Sequence, residues 1–261
     1  MEIELDWRDC EMIALITGAT SGIGRDMAVI LSRQGYDLIL ASRNTAKMKQ
    51  LQKRLKTSVE IVTVDLSKEE DCRRLYDTVK EKEIDLLINN AGFGVFGKFH
   101  ETSLEKELNM IDLNIRAVHM LTKLFLQDFR KRNRGTILNV SSSASFFPGP
   151  LLASYYATKA YVLRLSLAIY EELRREGSNV QISVLCPGPV DTGFNERANV
   201  RFSLKGMNSR KVAAYALKKM QEGKLVIIPG FTMQAAYYGR RVIPLKLLLK
   251  GTYHMQKKKE G

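Results

Sequence analysis

The glycine-rich turn near the start of the chain restricts its fold more than any other feature. A short apolar run, Ala14 to Thr17, is typical of a buried parallel strand. The turn from Gly18 to Gly24 follows with the spacing Gly-x-x-x-Gly-x-Gly, and an amphipathic stretch then runs to Gly35. This order predicts a dinucleotide site, because glycines let the backbone approach a pyrophosphate and the helix start offers free N–H groups. The alternative is a purely structural turn.

The second strand-like run, Asp37 to Arg43, indicates which dinucleotide is expected. In sites of this kind an acidic residue at the end of the strand binds the ribose 2′-hydroxyl of NAD. Ser42 and Arg43 stand there instead, and Arg25 follows the last glycine. Because guanidinium groups suit a phosphate, these residues favour NADP(H) over NAD(H). The alternative is that the arginines face solvent.

A second group of residues, Ser142, Tyr155 and Lys159, has the chemistry for proton transfer. Tyr155 and Lys159 stand four apart and so share one face of a predicted helix. A phenol can protonate a carbonyl oxygen or take the proton back, and a nearby ammonium lowers its pKa, about 10 when unperturbed, towards working pH. The Ser142 hydroxyl can hold the same oxygen. The spacing alone is weak, because a tyrosine packed on a solvated helix gives the same pattern.

Several separated motifs together resemble the short-chain dehydrogenase/reductase family over about residues 11 to 230. The motifs run from the cofactor loop with its spacing Thr-Gly-x-x-x-Gly-x-Gly, through Asp65, Asn89 to Gly92, Asn114, Ser142 and Tyr-x-x-x-Lys, to Pro187 to Thr192. The resemblance implies that Tyr155 transfers the proton, that Ser142 orients the oxygen, and that Lys159 lowers the pKa of Tyr155 and binds the nicotinamide ribose. It also implies that Asn114 connects the lysine to solvent through water. Tyr156 is a rival to Tyr155, but it lies off the family spacing.

The resemblance also implies which residues contact the cofactor. Asp65 corresponds to the acidic position beside the adenine, and Thr192 to the residue near the nicotinamide carboxamide. No metal is expected. The full set expected to bind NADP(H) is Gly18, Thr20, Ser21, Gly22, Ile23, Gly24, Arg25, Ser42, Arg43, Asp65, Leu66, Asn90, Ala91, Gly92, Tyr155, Lys159, Pro187, Gly188, Val190 and Thr192.

Strand-like runs that alternate with helical patterns predict an α/β fold, a Rossmann-type doubly wound parallel sheet in three αβα layers. With help from the resemblance they number seven, the remaining five lying at 59–64, 86–88, 136–140, 181–185 and 225–228. No linker or repeat divides the 261 residues, so one domain is expected. Its catalytic part spans 1–230, with a substrate lid at 192–210 implied by the resemblance, and a basic amphipathic extension spans 231–261.

Two long helices are predicted, at 104–130 and 154–176. In the family these commonly form a dimer face, so the resemblance implies a homodimer or homotetramer. The alternative is that their apolar residues, such as Leu121 and Ile169, pack against the sheet.

The positive charge of the chain is concentrated near its end. The net charge is +13, yet residues 201–261 hold fourteen Lys or Arg and only two acidic residues. No basic stripe with interleaved aromatics indicates base stacking, so nucleic acid is not expected. Within the extension, Pro244 is expected to open a helix and Gly251 to end or interrupt it. This segment has three alternative uses: covering the substrate pocket or a subunit interface, peripheral contact with an anionic membrane, or attraction of an acidic substrate.

The cysteines, the N-terminal residues and the lengths of the apolar runs indicate the cellular location. Cys10, Cys72 and Cys186 are widely spaced and odd in number, and with the three histidines they give neither a disulfide framework nor metal-ligand spacing. The acidic start lacks the pattern of a signal peptide, and no apolar run approaches the roughly 20 residues of a spanning helix. A cytoplasmic location is therefore expected, with a peripheral membrane location as the alternative.

Apolar residues near the motifs suggest a bulky, hydrophobic substrate, although core packing explains several of them equally well. They are Phe93, Phe96, Phe146, Phe147 and Leu151, together with Phe194, Phe202, Leu204 and Met207 of the expected lid. The sequence thus predicts an NADP(H)-dependent oxidoreductase that interconverts a secondary alcohol and a ketone, 3-oxoacyl or steroid-like carbonyl compound. The alternative is a non-catalytic protein that senses the cofactor, since fold does not fix function.

Overall fold

The apolar runs of the sequence form one seven-stranded parallel sheet. The computed structural model describes residues 12–192, 206–240 and 242–257. All seven expected strands are present in the sheet, in the order β3-β2-β1-β4-β5-β6-β9. Their bounds are β1 Ile13–Thr17, β2 Asp37–Ser42, β3 Val59–Thr63, β4 Ile84–Asn89, β5 Thr136–Val140, β6 Gln181–Leu185 and β9 Val226–Ile227. The predicted Rossmann-type fold is therefore confirmed.

Two further strands pair outside the main sheet. They are β7, Val190–Asp191, and β8, Met207–Asn208, which form a parallel two-stranded sheet. Sequence reasoning missed both because two residues are too few to show a periodic pattern.

The strand order places a crevice at the centre of the sheet. From β1 the chain moves outwards to β2 and β3, and then returns to β4 on the other side of β1. Side chains and loops at the carboxyl ends of β1 and β4 therefore diverge, and such a switch point is where open α/β sheets bind ligands.

Helices cover both faces of the sheet, with one long helix interrupted. The predicted helix at 104–130 is α4 and α5 joined by a π-helical turn, Asp112–Ala117, and the helix predicted at 154–176 is α6. A 3-10 turn, Ser143–Phe146, follows β5. The α-helices are α1 Gly22–Arg33, α2 Thr45–Gln52, α3 Glu69–Val79, α4 Leu104–Ile111, α5 Val118–Lys131, α6 Ala153–Arg175, α7 Ser209–Gln221, α8 Phe231–Gly239 and α9 Leu245–Lys257.

Two apolar layers hold these helices to the sheet. Successive residues of β1 point to opposite faces, so Ile16 packs with Met27 of α1 and Leu217 of α7, while Leu15 packs on the other side. The second layer contains Phe125 of α5, together with Leu121 and Ile169. These two apolar residues of the long helices thus pack against the sheet, which was the alternative to a subunit contact.

The C-terminal extension forms α8 and α9. As expected, α9 begins directly after Pro244. The expectation that Gly251 ends or interrupts the helix is wrong, because α9 continues through it to Lys257. Met233 and Tyr237 of α8 pack against a small core cluster that contains Phe146 and Ile228. In the part of the chain that the structure describes, no helix has both the length and the apolar composition needed to cross a bilayer.

Candidate active site

One large cavity, with a volume of about 1310 Å³, collects most of the predicted site residues. All of the expected cofactor and catalytic residues line it except Gly24, Arg25 and Asn114. We call one part of the lining the glycine-loop wall, formed by residues 18, 20–23, 41–43, 64–66 and 90–92. We call another part the C-terminal wall, which consists of Met233, Ala235, Ala236, Gly239, Ile243, Leu247, Leu248, Gly251, Thr252, Met255 and Gln256.

The glycine turn has a backbone that side chains would obstruct. Gly18 and Gly22 have φ values of +67° and +55°, in the left-handed region that favours glycine. A Cβ at Gly18 would lie 2.8 Å from Cα of Ala91, and a Cβ at Gly22 would lie 2.6 Å from Cγ2 of Thr192. Space for a close-fitting ligand therefore depends on these two glycines.

Gly24 has a packing role instead. A Cβ there would meet the side-chain amide of Asn90 and the carbonyl of Gly18, and Gly24 does not line the cavity. Its position lets α1 start close against the end of β1. The prediction that Gly24 contacts the cofactor therefore becomes a supporting role in the turn.

Hydrogen bonds fix the turn to the loop after β4. The Thr17 hydroxyl accepts bonds from the backbone N–H groups of Asn90 and Ala91 at 3.0 and 3.1 Å. The Asn90 side-chain amide donates to the carbonyls of Thr17 and Gly18 at 3.0 and 3.1 Å. The N-cap residue of α1, Ser21, makes no side-chain capping bond. A rigid turn at an uncapped helix start fits the pyrophosphate of a nicotinamide dinucleotide.

The end of β2 forms a polar corner beside this wall. A second cavity of about 400 Å³ is lined by Thr20, Ser42, Arg43, Asn44 and Thr45, the first three of which also line the main cavity. The Arg43 side chain is 60% exposed, and its Nη1 lies 3.9 Å from Oδ2 of Asp65. An extra phosphate has room and a guanidinium donor there.

Arg25, unlike Arg43, lies outside the polar corner. Its Nε donates to Oδ1 of Asp26 at 2.9 Å, and its Nη2 lies 2.8 Å from the same oxygen. Arg25 does not line either cavity. The structure therefore separates the two arginines that the sequence grouped together.

Ser142, Tyr155 and Lys159 meet in the main cavity. Ser142 precedes the 3-10 turn, and its hydroxyl accepts a hydrogen bond from the N–H of Ala144 at 3.1 Å. Lys159 is 5% exposed, and its Nζ donates to the carbonyl of Val140 at 3.0 Å. The same Nζ lies 5.9 Å from the centre of the Tyr155 ring. Lys159 therefore lies close to the Tyr155 ring, on the helix face that the two residues share.

Burial sets the proton affinities of this group. Burial raises the pKa of Tyr155 to about 12, although a hydrogen bond with Ser142 acts in the lowering direction. Burial likewise lowers the pKa of Lys159 to about 8. The expectation that the tyrosine pKa is lowered is therefore wrong for this protein without its ligands, because loss of water around the phenol outweighs the neighbouring groups.

Asn114 supports the site from behind. It lies in the π-helical turn, is fully buried and does not line the cavity. Its Nδ2 donates to the Phe93 carbonyl at 2.8 Å and to Oγ1 of Thr158 at 3.1 Å, and its Oδ1 accepts from the Phe93 N–H at 3.1 Å. A Cβ at Gly92 would lie 2.9 Å from Oδ1 of Asn114 and 3.3 Å from Nζ of Lys159. Gly92 is thus the point where these two side chains converge.

The π-helical turn is a feature that sequence reasoning missed. Such turns are frequent at functional sites because they re-aim side chains within a helix. Thr158, which accepts the bond from Asn114, stands directly before Lys159 and also escaped notice. Its position within the Tyr-x-x-x-Lys segment is the sequence feature that could have identified Thr158 as part of the site.

Tyr156, the rival to Tyr155, has a different environment. Its ring lies where a Cβ at Gly149 would be, and its hydroxyl accepts a hydrogen bond from Nε2 of Gln256. Burial raises its pKa. The two adjacent tyrosines therefore make different contacts, Tyr155 with Ser142 and Tyr156 with α9.

The apolar part of the cavity differs partly from expectation. Phe93, Phe96 and Phe147 line it, as predicted. Phe146 and Leu151 are 8% and 7% exposed and do not line the cavity. Met207 packs against the core beneath α1 and α7 instead of lining the cavity. Phe194, Phe202, Leu204 and most of the expected lid lie outside the described residues.

Most residues of the C-terminal wall were not among the site residues predicted from the sequence. The sequence offered covering of the pocket as one use of the extension, and residues of both α8 and α9 do line the cavity. Which residues would do so could not be foreseen, because the apolar spacing of a terminal segment does not identify its partner.

The titratable groups give no metal site within the described part of the chain. There, no group of three or more His, Cys, Asp or Glu is placed to hold an ion. Cys72 and Cys186 are buried free thiols, and burial raises the pKa of each to about 12.

Comparison with known proteins gives related sequences of several kinds. An uncharacterized oxidoreductase of Staphylococcus epidermidis is 31% identical over 211 residues, 79% of this chain and 91% of that protein. Human 17-beta-hydroxysteroid dehydrogenase type 3 is 32% identical over 202 residues, 74% of this chain and 63% of that protein. A very-long-chain 3-oxoacyl-CoA reductase of Pyrenophora tritici-repentis is 34% identical over 178 residues, 64% of this chain and 52% of that protein.

Solved structures share the architecture. A short-chain dehydrogenase from Sphingobium yanoikuyae in complex with NADPH has a TM-score of 0.81 and 30% identity, covering 88% of this chain and 92% of that one. A short chain dehydrogenase/reductase from Burkholderia phymatum in complex with NAD has a TM-score of 0.81 and 25% identity, covering 88% and 93%.

The family model for short chain dehydrogenases matches residues 12–201, more than half of the chain. Those residues hold the glycine turn, the polar corner and the Ser142, Tyr155 and Lys159 group. The chain therefore belongs to the short-chain dehydrogenase family, and it is an oxidoreductase that acts on CH–OH groups with a nicotinamide cofactor.

Proposed function

We propose that this protein uses NADP(H) to reduce the carbonyl group of a bulky, apolar substrate, with Tyr155 as the proton donor. The observation that carries the proposal is the position of Tyr155 in one cavity that both the glycine-loop wall and the mainly apolar C-terminal wall line. A dinucleotide and an apolar substrate can then meet at one hydroxyl.

The polar residues each have a part in handling the proton. When bound, the cofactor supplies a hydride to the carbonyl carbon. Tyr155 gives its proton to the carbonyl oxygen, while the Ser142 hydroxyl holds the same oxygen in place. The Lys159 ammonium offsets the charge that develops on the phenol oxygen. Asn114, through its bonds to Phe93 and Thr158, keeps the surroundings of Lys159 in position.

The protonation state of Tyr155 supports the reducing direction. With a pKa raised to about 12, the phenol holds its proton at neutral pH and is ready to donate it. Oxidation requires the same group to start as phenolate, which burial disfavours. Reduction can therefore start from the neutral phenol of Tyr155, whereas oxidation requires that the phenol first lose its proton.

The preference for NADP(H) rests on Arg43. Of the two similar structures, one holds NADPH and the other NAD, so the fold alone accommodates both. Arg43 borders both the main cavity and the smaller polar one, and no carboxylate stands at the end of β2, where Ser42 is found. A guanidinium beside an open polar space favours a 2′-phosphate over a bare hydroxyl.

The apolar substrate is supported by the composition of the cavity. Beyond Tyr155, the lining includes Phe93, Phe96, Phe147 and most of the C-terminal wall. Two of the relatives are named for a hydroxysteroid and for a very-long-chain 3-oxoacyl-CoA, both of which carry large apolar groups. We infer a steroid-like, 3-oxoacyl or aryl ketone substrate.

A self-associated form is also proposed. Leu104 and Leu108 stand one helical turn apart on α4 and are 71% and 50% exposed. A second copy of the chain that covers these leucines would remove them from water. Light scattering on the purified chain should give the mass of a dimer or tetramer, and a monomeric mass would contradict this part.

The substrate and cofactor proposals are tested by NADPH and NADH oxidation over a panel of ketones. The panel should include small ketones, aryl ketones, 17-oxosteroids and 3-oxoacyl thioesters. We expect turnover with NADPH on the bulky members and a much lower kcat/KM with NADH and with acetone. Tight NADPH binding without turnover on any member would contradict the proposal.

A further inference from the structure

The C-terminal helix α9 buries two uncharged polar side chains and exposes several apolar ones. Thr252 and Gln256, one turn apart, are 8% and 1% exposed. Leu245 and Leu249, in contrast, are 64% and 37% exposed. A surface helix in water shows the reverse arrangement, with its apolar stripe against the protein. The outer face of α9 is therefore built for an apolar surrounding.

Exposed apolar side chains also precede α9 in the chain. We call the combined set the outer apolar surface, and its members are exposed large side chains of the C-terminal segment that do not line the cavity: Phe231, Tyr238, Val242, Leu245, Leu249 and Tyr253. Val242 is 84% exposed and Phe231 is 83% exposed. An apolar set of this size on one terminal segment marks a contact site.

The charge of the same segment selects the kind of partner. Residues 231–261 contain seven Lys or Arg and one acidic residue, Glu260. Lys246 and Lys250 are exposed and directly follow Leu245 and Leu249 on α9. Long basic side chains can extend from an apolar contact to a charged boundary, as they do at the headgroups of a bilayer.

A second copy of this chain fits the segment less well. A two-fold contact places the same surface on both sides, so each basic set would face another basic set. Opposite charge is instead supplied by anionic lipid headgroups, each basic residue near such a surface adding to the attraction.

We propose that α9, together with the exposed side chains of α8 and of the residues between the two helices, rests on the surface of an anionic membrane. The helix has 13 residues, a length of about 20 Å, which is shorter than the hydrocarbon core, so it lies in the plane of the interface. The outer apolar surface enters the headgroup boundary, and Lys246 and Lys250 contact the phosphates.

This contact would place the cavity at the membrane. Ile243, Leu247 and Met255 line the cavity and are also 45%, 60% and 53% exposed. Resting on the proposed function, an apolar substrate dissolved in the bilayer could then pass between these side chains without crossing water. The membrane contact itself does not depend on that function.

The test is sedimentation of the full chain with vesicles. Vesicles of phosphatidylcholine with about 30% phosphatidylglycerol are compared with phosphatidylcholine alone, since both supply acyl chains but only the first is anionic. We expect the protein to sediment with the anionic vesicles, with a partition coefficient at least about tenfold higher than with the neutral ones.

Two matched double variants assign the contact. Leu245→Ser with Leu249→Ser removes two exposed leucines at i and i+4 of α9, and Leu104→Ser with Leu108→Ser does the same on α4. We expect the α9 pair to lower partition by at least about tenfold and the α4 pair to leave it unchanged. NADPH affinity should be unaltered by the α9 pair, which shows that the fold is intact.

A charge variant distinguishes the electrostatic attraction to the headgroups from the apolar contact with the bilayer. Lys246→Gln with Lys250→Gln should lower binding to anionic vesicles several-fold and weaken its dependence on salt. The proposal is overturned if the unaltered chain fails to sediment with anionic vesicles, or if the α9 leucine pair sediments as well as the unaltered chain. It is also overturned if that pair converts an oligomer into a monomer, since a second copy then covers the face.

Discussion

On one side of the cavity, Thr17 and Asn90 tie the glycine turn to the loop after β4 with hydrogen bonds of 3.0 to 3.1 Å. On the other side, α8 buries none of its residues, and α9 buries only Thr252 and Gln256. The glycine-loop wall is thus fixed by hydrogen bonds between the Thr17 and Asn90 side chains and the backbone of the two loops. The C-terminal wall is held by side chains of a terminal segment. In the proposed function, the glycine-loop wall binds the cofactor and the C-terminal wall contacts the substrate.

If this comparison holds, a change in the glycine-loop wall should cause the largest loss of affinity for the cofactor. Gly22→Val places a β-branched residue at φ +55° and a Cβ 2.6 Å from Thr192. The left-handed backbone costs roughly 1–2 kcal/mol, and the side chain also obstructs the wall. We expect the Kd for NADPH, measured by fluorescence titration, to rise at least about 100-fold.

Gly35→Val is the matched control for that change. Gly35 has φ +89°, but a Cβ there meets nothing within 4 Å. This variant should lose stability to a similar extent while keeping its NADPH affinity. Equal losses of affinity in both variants would contradict a direct role for the glycine turn.

Arg43→Gln should sharpen the comparison by separating the two cofactors. Loss of a charge-assisted hydrogen bond of about 1.5–3 kcal/mol corresponds to a tenfold or larger rise in KM for NADPH, with KM for NADH unchanged. Arg25→Gln, which removes the arginine paired with Asp26, should change either KM by less than about threefold. A larger effect of Arg25 than of Arg43 would reverse the assignment.

The pH dependence tests the buried lysine. Because burial lowers the pKa of Lys159 to about 8, its ammonium is present below that pH and is lost as the pH rises through it. Tyr155, with a pKa raised to about 12, keeps its proton throughout this range. We expect kcat/KM for reduction to be level up to about pH 8 and then to fall by up to about tenfold per unit. A level profile to pH 9.5 would contradict the role of Lys159.

A change in the C-terminal wall should have the smallest effect, and only on the substrate. The side-chain oxygen of Gln256 is buried without a hydrogen-bond partner among the described residues. If it accepts a bond from the substrate, Gln256→Met should raise the substrate KM about threefold to tenfold and leave the Kd for NADPH unchanged. Thr252→Val is the control, since the Thr252 hydroxyl already bonds to the Leu248 carbonyl at 3.0 Å.

The same contrast explains what sequence reasoning could reach. The glycine turn, the Asn90 loop and Tyr155 with Lys159 are local patterns that residue type and spacing identify, and the family resemblance implied that they form one site. The pairing of Gln256 with Tyr156 joins residues 100 positions apart, and no local pattern encodes it. The raised pKa of Tyr155 likewise depends on burial, which arises only when distant segments pack.

The most direct test of the account compares Tyr155→Phe with Tyr156→Phe in NADPH oxidation with a bulky ketone. Removing the Tyr155 hydroxyl should lower kcat at least about 100-fold, while the Kd for NADPH stays within about threefold of the unaltered protein because the glycine-loop wall is intact. Tyr156→Phe should keep kcat within about tenfold. Near-normal turnover by Tyr155→Phe, or loss of turnover only in Tyr156→Phe, would contradict the account.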